Sequence, residues 1–237
     1  MGDVTVQDLA AGAMPLFQSA SAATRSELFR NGILHRVSAG TVLFEQGETP
    51  NFQHLVVAGS VQLFGRSSAG REVLIEVVEP PDLVVPAAVV TNLPYLMQAR
   101  VPGPSRLLLI PAGIFRAAVA ADPALAQDVI GSLAGQFRRM VRQIKNLKLR
   151  SATERVGCYI LALSKRQGTP DRALLPYEKN LIASELGITR ESFSRALSGL
   201  QQSGIAVQAD TILITDRVRL AAASNPDPLI DEPEGRV

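Results

Sequence analysis

Arg190, Glu191, Ser194 and Arg195 carry the most legible chemistry in this 237-residue chain. They follow Thr189 in the run Ile182-Ala183-Ser184-Glu185-Leu186-Gly187-Ile188-Thr189-Arg190-Glu191-Ser192-Phe193-Ser194-Arg195. On a helix turning about 100° per residue, these four share an arc of about 140°, while Phe193, Ala196, Leu197 and Leu200 share one of about 100° on the other side. The second arc is a core face. The first offers two guanidinium forks, a carboxylate and a hydroxyl close to the N-terminal turn. Arginine pairs bidentately with guanine, and glutamate accepts from cytosine N4. A salt-bridged surface helix would have the same composition, so the turn before the helix decides between the two. Ala183 in a first helix, Gly187 at the turn and Phe193 in a second helix fit a helix-turn-helix, in which small residues allow a close crossing and glycine the tight turn. The expected partner is double-stranded DNA, read by Thr189, Arg190, Glu191, Ser194 and Arg195.

Little else in the chain could do chemistry. The single cysteine, Cys158, forms no internal disulfide, which suits a reducing cytoplasm, and cannot alone hold an iron–sulfur cluster. His35 and His54 have no second ligand at short spacing, so no zinc motif exists. Both histidines, Cys158 and Met97 read as ordinary packing residues, and the sequence assigns no metal ligand. Glycine-rich phosphate loops and nucleophile–base signatures are also lacking, so no enzymatic activity is expected. The most apolar stretch, Leu107 to Ala121, is broken by Pro111, Gly113 and Arg116, which argues against a membrane span. The N-terminus lacks the basic and apolar regions of a secretory signal, again placing the chain in the cytoplasm.

Charge sorts along the chain. Residues 1–137 hold 8 basic and 11 acidic side chains, residues 138–222 hold 15 and 7, and residues 223–237 hold 1 and 4. A basic stretch on a mildly acidic chain is the electrostatic footprint of a phosphate-binding module.

The elements that must position the reading face follow from the hydrophobic pattern. From about Ile33 to Ile110, short β-rich runs alternate with glycine turns every 10–12 residues, which implies a barrel or roll. From Asp122-Pro123 the period changes. Ile130, Leu133, Phe137, Met140, Ile144 and Leu147 repeat at 3 and 4, a heptad seam on a long helix capped by Asp122. Such a seam needs a partner, and a parallel homodimer is expected. After Ser151 come further helices, with a two-stranded wing from Ile205–Val207 and Thr211–Ile214. The proline-rich acidic tail beyond Ala223 is expected to lack fixed structure. The fold class is therefore α+β. Its divisions are a sensing roll over 1–122, a dimerisation helix over 123–150, a winged helix-turn-helix over 151–222 and a tail over 223–237.

Roll, heptad helix and reading helix in this order resemble the Crp/Fnr transcription regulators over nearly the whole chain. Ala39–Pro80 is similar to the family's cyclic-nucleotide-binding-type roll, with Gly40, Gly47, Gly59 and Gly70 at its turns. Glu191-x-x-Ser194-Arg195 is similar to the Fnr-type reader of a TTG-containing half-site, and Arg190 is present as in the Crp-type reader. The resemblance implies a homodimer on pseudo-palindromic DNA that activates RNA polymerase. Lys165-Arg166-Gln167-Gly168-Thr169-Pro170-Asp171-Arg172 occupies the place where family activators touch the polymerase.

The departures bear on the effector. Where cAMP-binding members carry Gly-Glu and, about ten residues later, Arg-Ser, this chain has Asp82-Leu83-Val84-Val85-Pro86-Ala87-Ala88 and Tyr95-Leu96. An unpaired phosphate in so apolar a place is costly, which argues against cAMP. The remaining resemblance is to the haem-dependent, nitric oxide- or carbon monoxide-sensing (Dnr-like) branch. The expected effector pocket comprises Leu83, Val84, Val85, Pro86, Leu96 and Met97, closed by Ile130, Leu133 and Phe137. A regulatory subunit acting on a protein without DNA would keep the phosphate-binding residues and lack a readable helix face, and neither holds here.

Overall fold

In the computed structural model, residues 17–231 are described. The chain packs as two compact units, Met1–Phe137 and Arg138–Val237.

The first unit contains α1 (Ala22–Asn31), β1 (Ile33–Val37), β2 (Val42–Phe44), β3 (Phe52–Ala58), β4 (Val61–Arg66), β5 (Glu72–Val78), β6 (Asp82–Val84), α2 (Pro86–Thr91), β7 (Gln98–Arg100), β8 (Ser105–Pro111), α3 (Ala112–Ala121) and the start of α4 (Pro123–Leu149). The strands form two four-stranded antiparallel sheets, ordered β1-β8-β3-β6 and β2-β7-β4-β5. Side chains alternate across a strand, and β3, β6 and β8 are buried on both faces. Leu55, Leu83 and Leu108 join Leu28, Phe29, Phe115, Leu125 and Val129 in one apolar cluster with the helices. Their chain neighbours Val56, Val84 and Leu107 join Phe44, Val61, Leu63 and Ala99 in a second cluster inside the roll. Burying each such aliphatic side chain contributes about 1.5–3 kcal/mol.

Helix α4 begins as its sequence signals require. Asp122 Oδ1 accepts from the backbone N–H of Ala124 at 3.0 Å and of Leu125 at 3.3 Å. Leu125 and Val129 are buried, and Leu133 is half-buried against the cluster of the helices. The other seam residues are open: Ile130 is 54% exposed, Phe137 63%, Met140 53%, Ile144 45% and Leu147 40%.

The second unit adds α5 (Ala152–Arg166), β9 (Arg172–Leu174), α6 (Lys179–Glu185), α7 (Arg190–Leu200), β10 (Ile205–Gln208), β11 (Thr211–Ile214), α8 (Arg217–Ser224) and the single turn α9 (Pro228–Asp231). Ser151 and Glu154 form a reciprocal capping box at the start of α5. The wing has three strands rather than the expected two, because β9 pairs with the free edge of β11. The tail also differs from expectation. Residues 225–231 are ordered by an aspartate-capped turn and an ion pair, which composition alone does not reveal. Residues 232–237 of the expected tail lie outside the described residues. Among the described residues no helix is long and apolar enough to cross a membrane.

Candidate nucleic-acid interface

The turn between α6 and α7 is set by Gly187. At φ +64° it donates its N–H to Ser184 O at 3.0 Å, while Ile188 N–H donates to Ala183 O at 2.9 Å. This pair of bonds is a Schellman termination, which favours glycine at the left-handed position. Leu147, at the end of α4, lies over this turn, so that a Cβ at Gly187 would stand 2.4 Å from Leu147 Cδ2. Leu147 is thus partly engaged within its own chain, an environment that the heptad pattern does not show. Arg155 of α5 adds a second hold by donating from Nη1 to Leu186 O at 2.6 Å.

Helix α7 sorts its faces as its periodicity predicts. Phe193, Ala196, Leu197 and Leu200 are buried, while Thr189, Arg190, Glu191, Ser194 and Arg195 are exposed together along the opposite side. Thr189 is the N-cap, its Oγ1 accepting from Ser192 N–H at 3.2 Å. A hydrogen bond from its own backbone N–H is the largest influence holding the Glu191 carboxyl below the usual range. Ser192 is a contributor the sequence reading missed. Its hydroxyl accepts from Arg195 Nη2 at 3.0 Å and orients that guanidinium. The i, i+3 spacing of the two residues was the available signal. The buried positions let α7 be carried on the module's core while its polar groups stay presented to solvent.

The nine residues expected to line an effector pocket do not come together. Leu83 and Val84 are neighbours on a strand and therefore point to opposite faces. Leu83 lies in the cluster of the helices, with Leu133 against it, whereas Val84, Val85 and Met97 belong to the interior of the roll. Pro86 is buried at the start of α2. Leu96 is 82% exposed, and Ile130 and Phe137 are open as well. The expected wall of four consecutive residues is divided, since alternation sends Leu83 and Val84 to opposite faces of β6 while Val85 and Pro86 lie at the start of α2.

Where the cyclic-nucleotide members' Arg-Ser pair would fall, Tyr95 stacks on Phe44 at 3.6 Å between ring centroids and donates its hydroxyl to Phe52 O at 3.3 Å. Arg100, the cation nearest this stretch in the sequence and so the candidate to pair a phosphate, is engaged by Gln98 Oε1 at 2.8 Å and Glu72 Oε2 at 3.3 Å, and lies 4.7 Å from the Phe64 ring centroid. His35 is exposed on β1. His54 is buried on β3 near the rings of Phe44 and Phe52, with Nδ1 unpartnered, and burial lowers its pKa to about 4. Cys158 is buried, bonded to Ser224 O at 3.2 Å, and burial pushes its thiol up to about 12. Among the described residues no group of three or more histidine, cysteine, aspartate or glutamate side chains could hold a metal ion.

A two-sheeted roll followed by a long helix and a winged helix-turn-helix with a polar reading face defines a DNA-binding transcription regulator. Residues 34–122 match the cyclic nucleotide-binding domain, and residues 154–223 match the Crp-like helix-turn-helix domain. The chain belongs to the Crp/Fnr family. It is 26% identical over 187 residues to the CRP-like cAMP-activated global transcriptional regulator of Mycobacterium tuberculosis, covering 77% of this chain and 84% of that one. It is 28% identical over 193 residues to the anaerobic regulatory protein of Pasteurella multocida, covering 79% and 70%. The structure of FixK2 from Bradyrhizobium japonicum superposes with a TM-score of 0.68 at 23% identity, covering 81% of this chain and 96% of that one, and supports the fold.

Proposed function

We propose that the protein is a homodimeric transcription regulator that reads a pseudo-palindromic site and is switched by a small effector other than cAMP held in its roll. The observation that carries the reading is the face of α7, where Arg190, Glu191, Ser194 and Arg195 stand exposed opposite a fully buried face. Two such helices on a two-fold axis would enter successive major grooves, with half-sites about 10 bp apart. The proposed half-site contains TTG, by resemblance to the Fnr-type reader. The open stripe from Ile130 to Leu147 supports the dimer, since exposed apolar surface of this regularity is stabilised by burial against a second helix.

Against cAMP stand the Tyr95–Phe44 stack and the engagement of Arg100 by Gln98 and Glu72. A cyclic nucleotide is the second reading, favoured by the domain match over residues 34–122 and by the cAMP-activated relative. Titration calorimetry of the full chain with cAMP separates the two, and saturable binding would overturn the first. A haem carrying nitric oxide or carbon monoxide does not fit the side chains assigned to it, because Leu83 packs among the helices, Val84, Val85 and Met97 pack inside the roll, and Leu96 is exposed.

For a dimeric activator, the exposed Lys165–Arg172 loop is the proposed contact with RNA polymerase. The reading as a whole is tested at Ile144. Ile144→Asp should place charge in the seam, halve the mass measured by light scattering and abolish tight binding to a two-half-site duplex. A variant that remains dimeric would refute the seam as the dimer contact.

A further inference from the structure

The acidic segment after α8 is built to hold one particular arginine. Asn225, at φ +48°, ends α8 and turns the chain. Asp227 then caps α9, its Oδ1 accepting from Leu229 N–H at 2.9 Å and its carbonyl from Ile230 and Asp231 N–H at 2.9 and 2.8 Å. In return, Asp227 N–H donates to Asp231 Oδ2 at 2.8 Å, so the turn orients its own last carboxylate. That carboxylate meets Arg150 fork to fork: Nη1 donates to Oδ1 at 2.7 Å and Nη2 to Oδ2 at 2.5 Å. Such bidentate pairs are among the stronger charge-assisted bonds. Arg150 Nη1 also donates to Asn146 Oδ1 of α4 at 3.2 Å. The Arg150 side chain is 5% exposed and that of Asp231 18%.

Two features deliver the turn to this place. Gly157 of α5 lets α8 approach closely, since a Cβ there would stand within 1.9 Å of Ser224 Oγ. Ser224 O in turn accepts from the Cys158 thiol. Arg150 itself lies between the last residue of α4 and the N-cap of α5, at the junction of the seam helix and the DNA-reading module. The outer pair, Lys145 with Asp227 at 3.5 Å, is about one-third exposed on each side and contributes little.

We propose that Asn225–Asp231 is a clasp that fastens the end of α4 to the winged helix-turn-helix module, with Arg150 as the positioning residue. Its consequence for DNA rests on the proposed role of α4 as the dimer helix; the clasp itself does not. Without the Asp231 charge the buried guanidinium loses its bidentate partner and keeps only Asn146 Oδ1 and the Asp227 charge, which favours opening of the junction to hydrate it. With the clasp closed, the last turn of α4 and α7 are held in one body through Arg150, Leu147 and Gly187.

The test uses the full chain, its Asp231→Asn variant and a chain ending at Asn225. Hydrogen exchange at residues 149–152 should accelerate on the order of tenfold or more in both variants, with exchange at Phe193 and Leu197 unchanged. The charge-swapped pair Arg150→Asp with Asp231→Arg should recover at least part of the protection. Exchange at 149–152 within twofold of the parent in Asp231→Asn would overturn the clasp, as would an acceleration spread evenly over the module. A parent chain that proved monomeric yet showed the local acceleration would support the clasp and sink only the dimeric reading.

Discussion

Replacing Gly187 with alanine probes the turn that aims the reading helix. Two costs can be worked from the structure. At φ +64° the alanine sits in the left-handed region, at about 1 kcal/mol or somewhat more. Its Cβ would also stand 2.4 Å from Leu147 Cδ2, and turning that leucine off its rotamer costs about 0.5–1.5 kcal/mol. Leu147 is 40% exposed and can give way, so the second cost stays at the end of a flexible side chain. Together they come to about 2 kcal/mol, or about 30-fold in a local opening constant. The assay is native-state hydrogen exchange at the amides of Phe193, Ala196 and Leu197 in α7. Leu147→Ala and the double variant complete a cycle, in which removing the obstacle should recover about 1 kcal/mol and leave the backbone strain. Exchange in Gly187→Ala within threefold of the parent would refute the argument from strain. A cycle without coupling would show that Leu147 is not the obstacle.

Three further outcomes are expected. Arg195→Ala should cost about 1–3 kcal/mol on a matched duplex and relax preference at one guanine, and an equal loss on random DNA would mean that Arg195 touches only phosphate. His54 is neutral in the fold, with its pKa lowered to about 4, while the unfolded chain takes up a proton below the ordinary value of 6.5. Stability present above pH 6.5 should therefore fall by up to about 3 kcal/mol as the pH drops toward 4, and His54→Leu should flatten that dependence in denaturation measured at both ends of the window. Neutralising Lys165, Arg166 and Arg172 together should lower transcription from a target promoter while leaving duplex affinity unchanged, whereas loss of both would assign the loop to phosphate binding.

Periodicity made much of this protein legible before any tertiary structure. The faces of α7, the seam of α4, the cap at Asp122 and the glycine of the reading turn depend on interactions within a few residues, so residue type and spacing specify them. The exposure of Arg190, Glu191, Ser194 and Arg195 on one side was legible for the same reason, because a helix with one buried apolar arc turns its other arc to solvent. Short elements were harder. Strands β6 and β7 are three residues each, too brief for alternation to register, and missing that alternation merged Leu83 and Val84 into a single pocket wall. Contacts between residues far apart in the chain were not legible at all. Asp231 reaches Arg150 across 81 positions and Leu147 reaches Gly187 across 40. An acidic proline-rich tail and an exposed heptad leucine have ordinary local readings, and only the packing of α8 against α5 through Gly157 brings the tail to its arginine. Local propensity determined which elements form and which faces they present, while partner choice belonged to the tertiary fold, because burial and charge pairing depend on distance in space rather than along the chain.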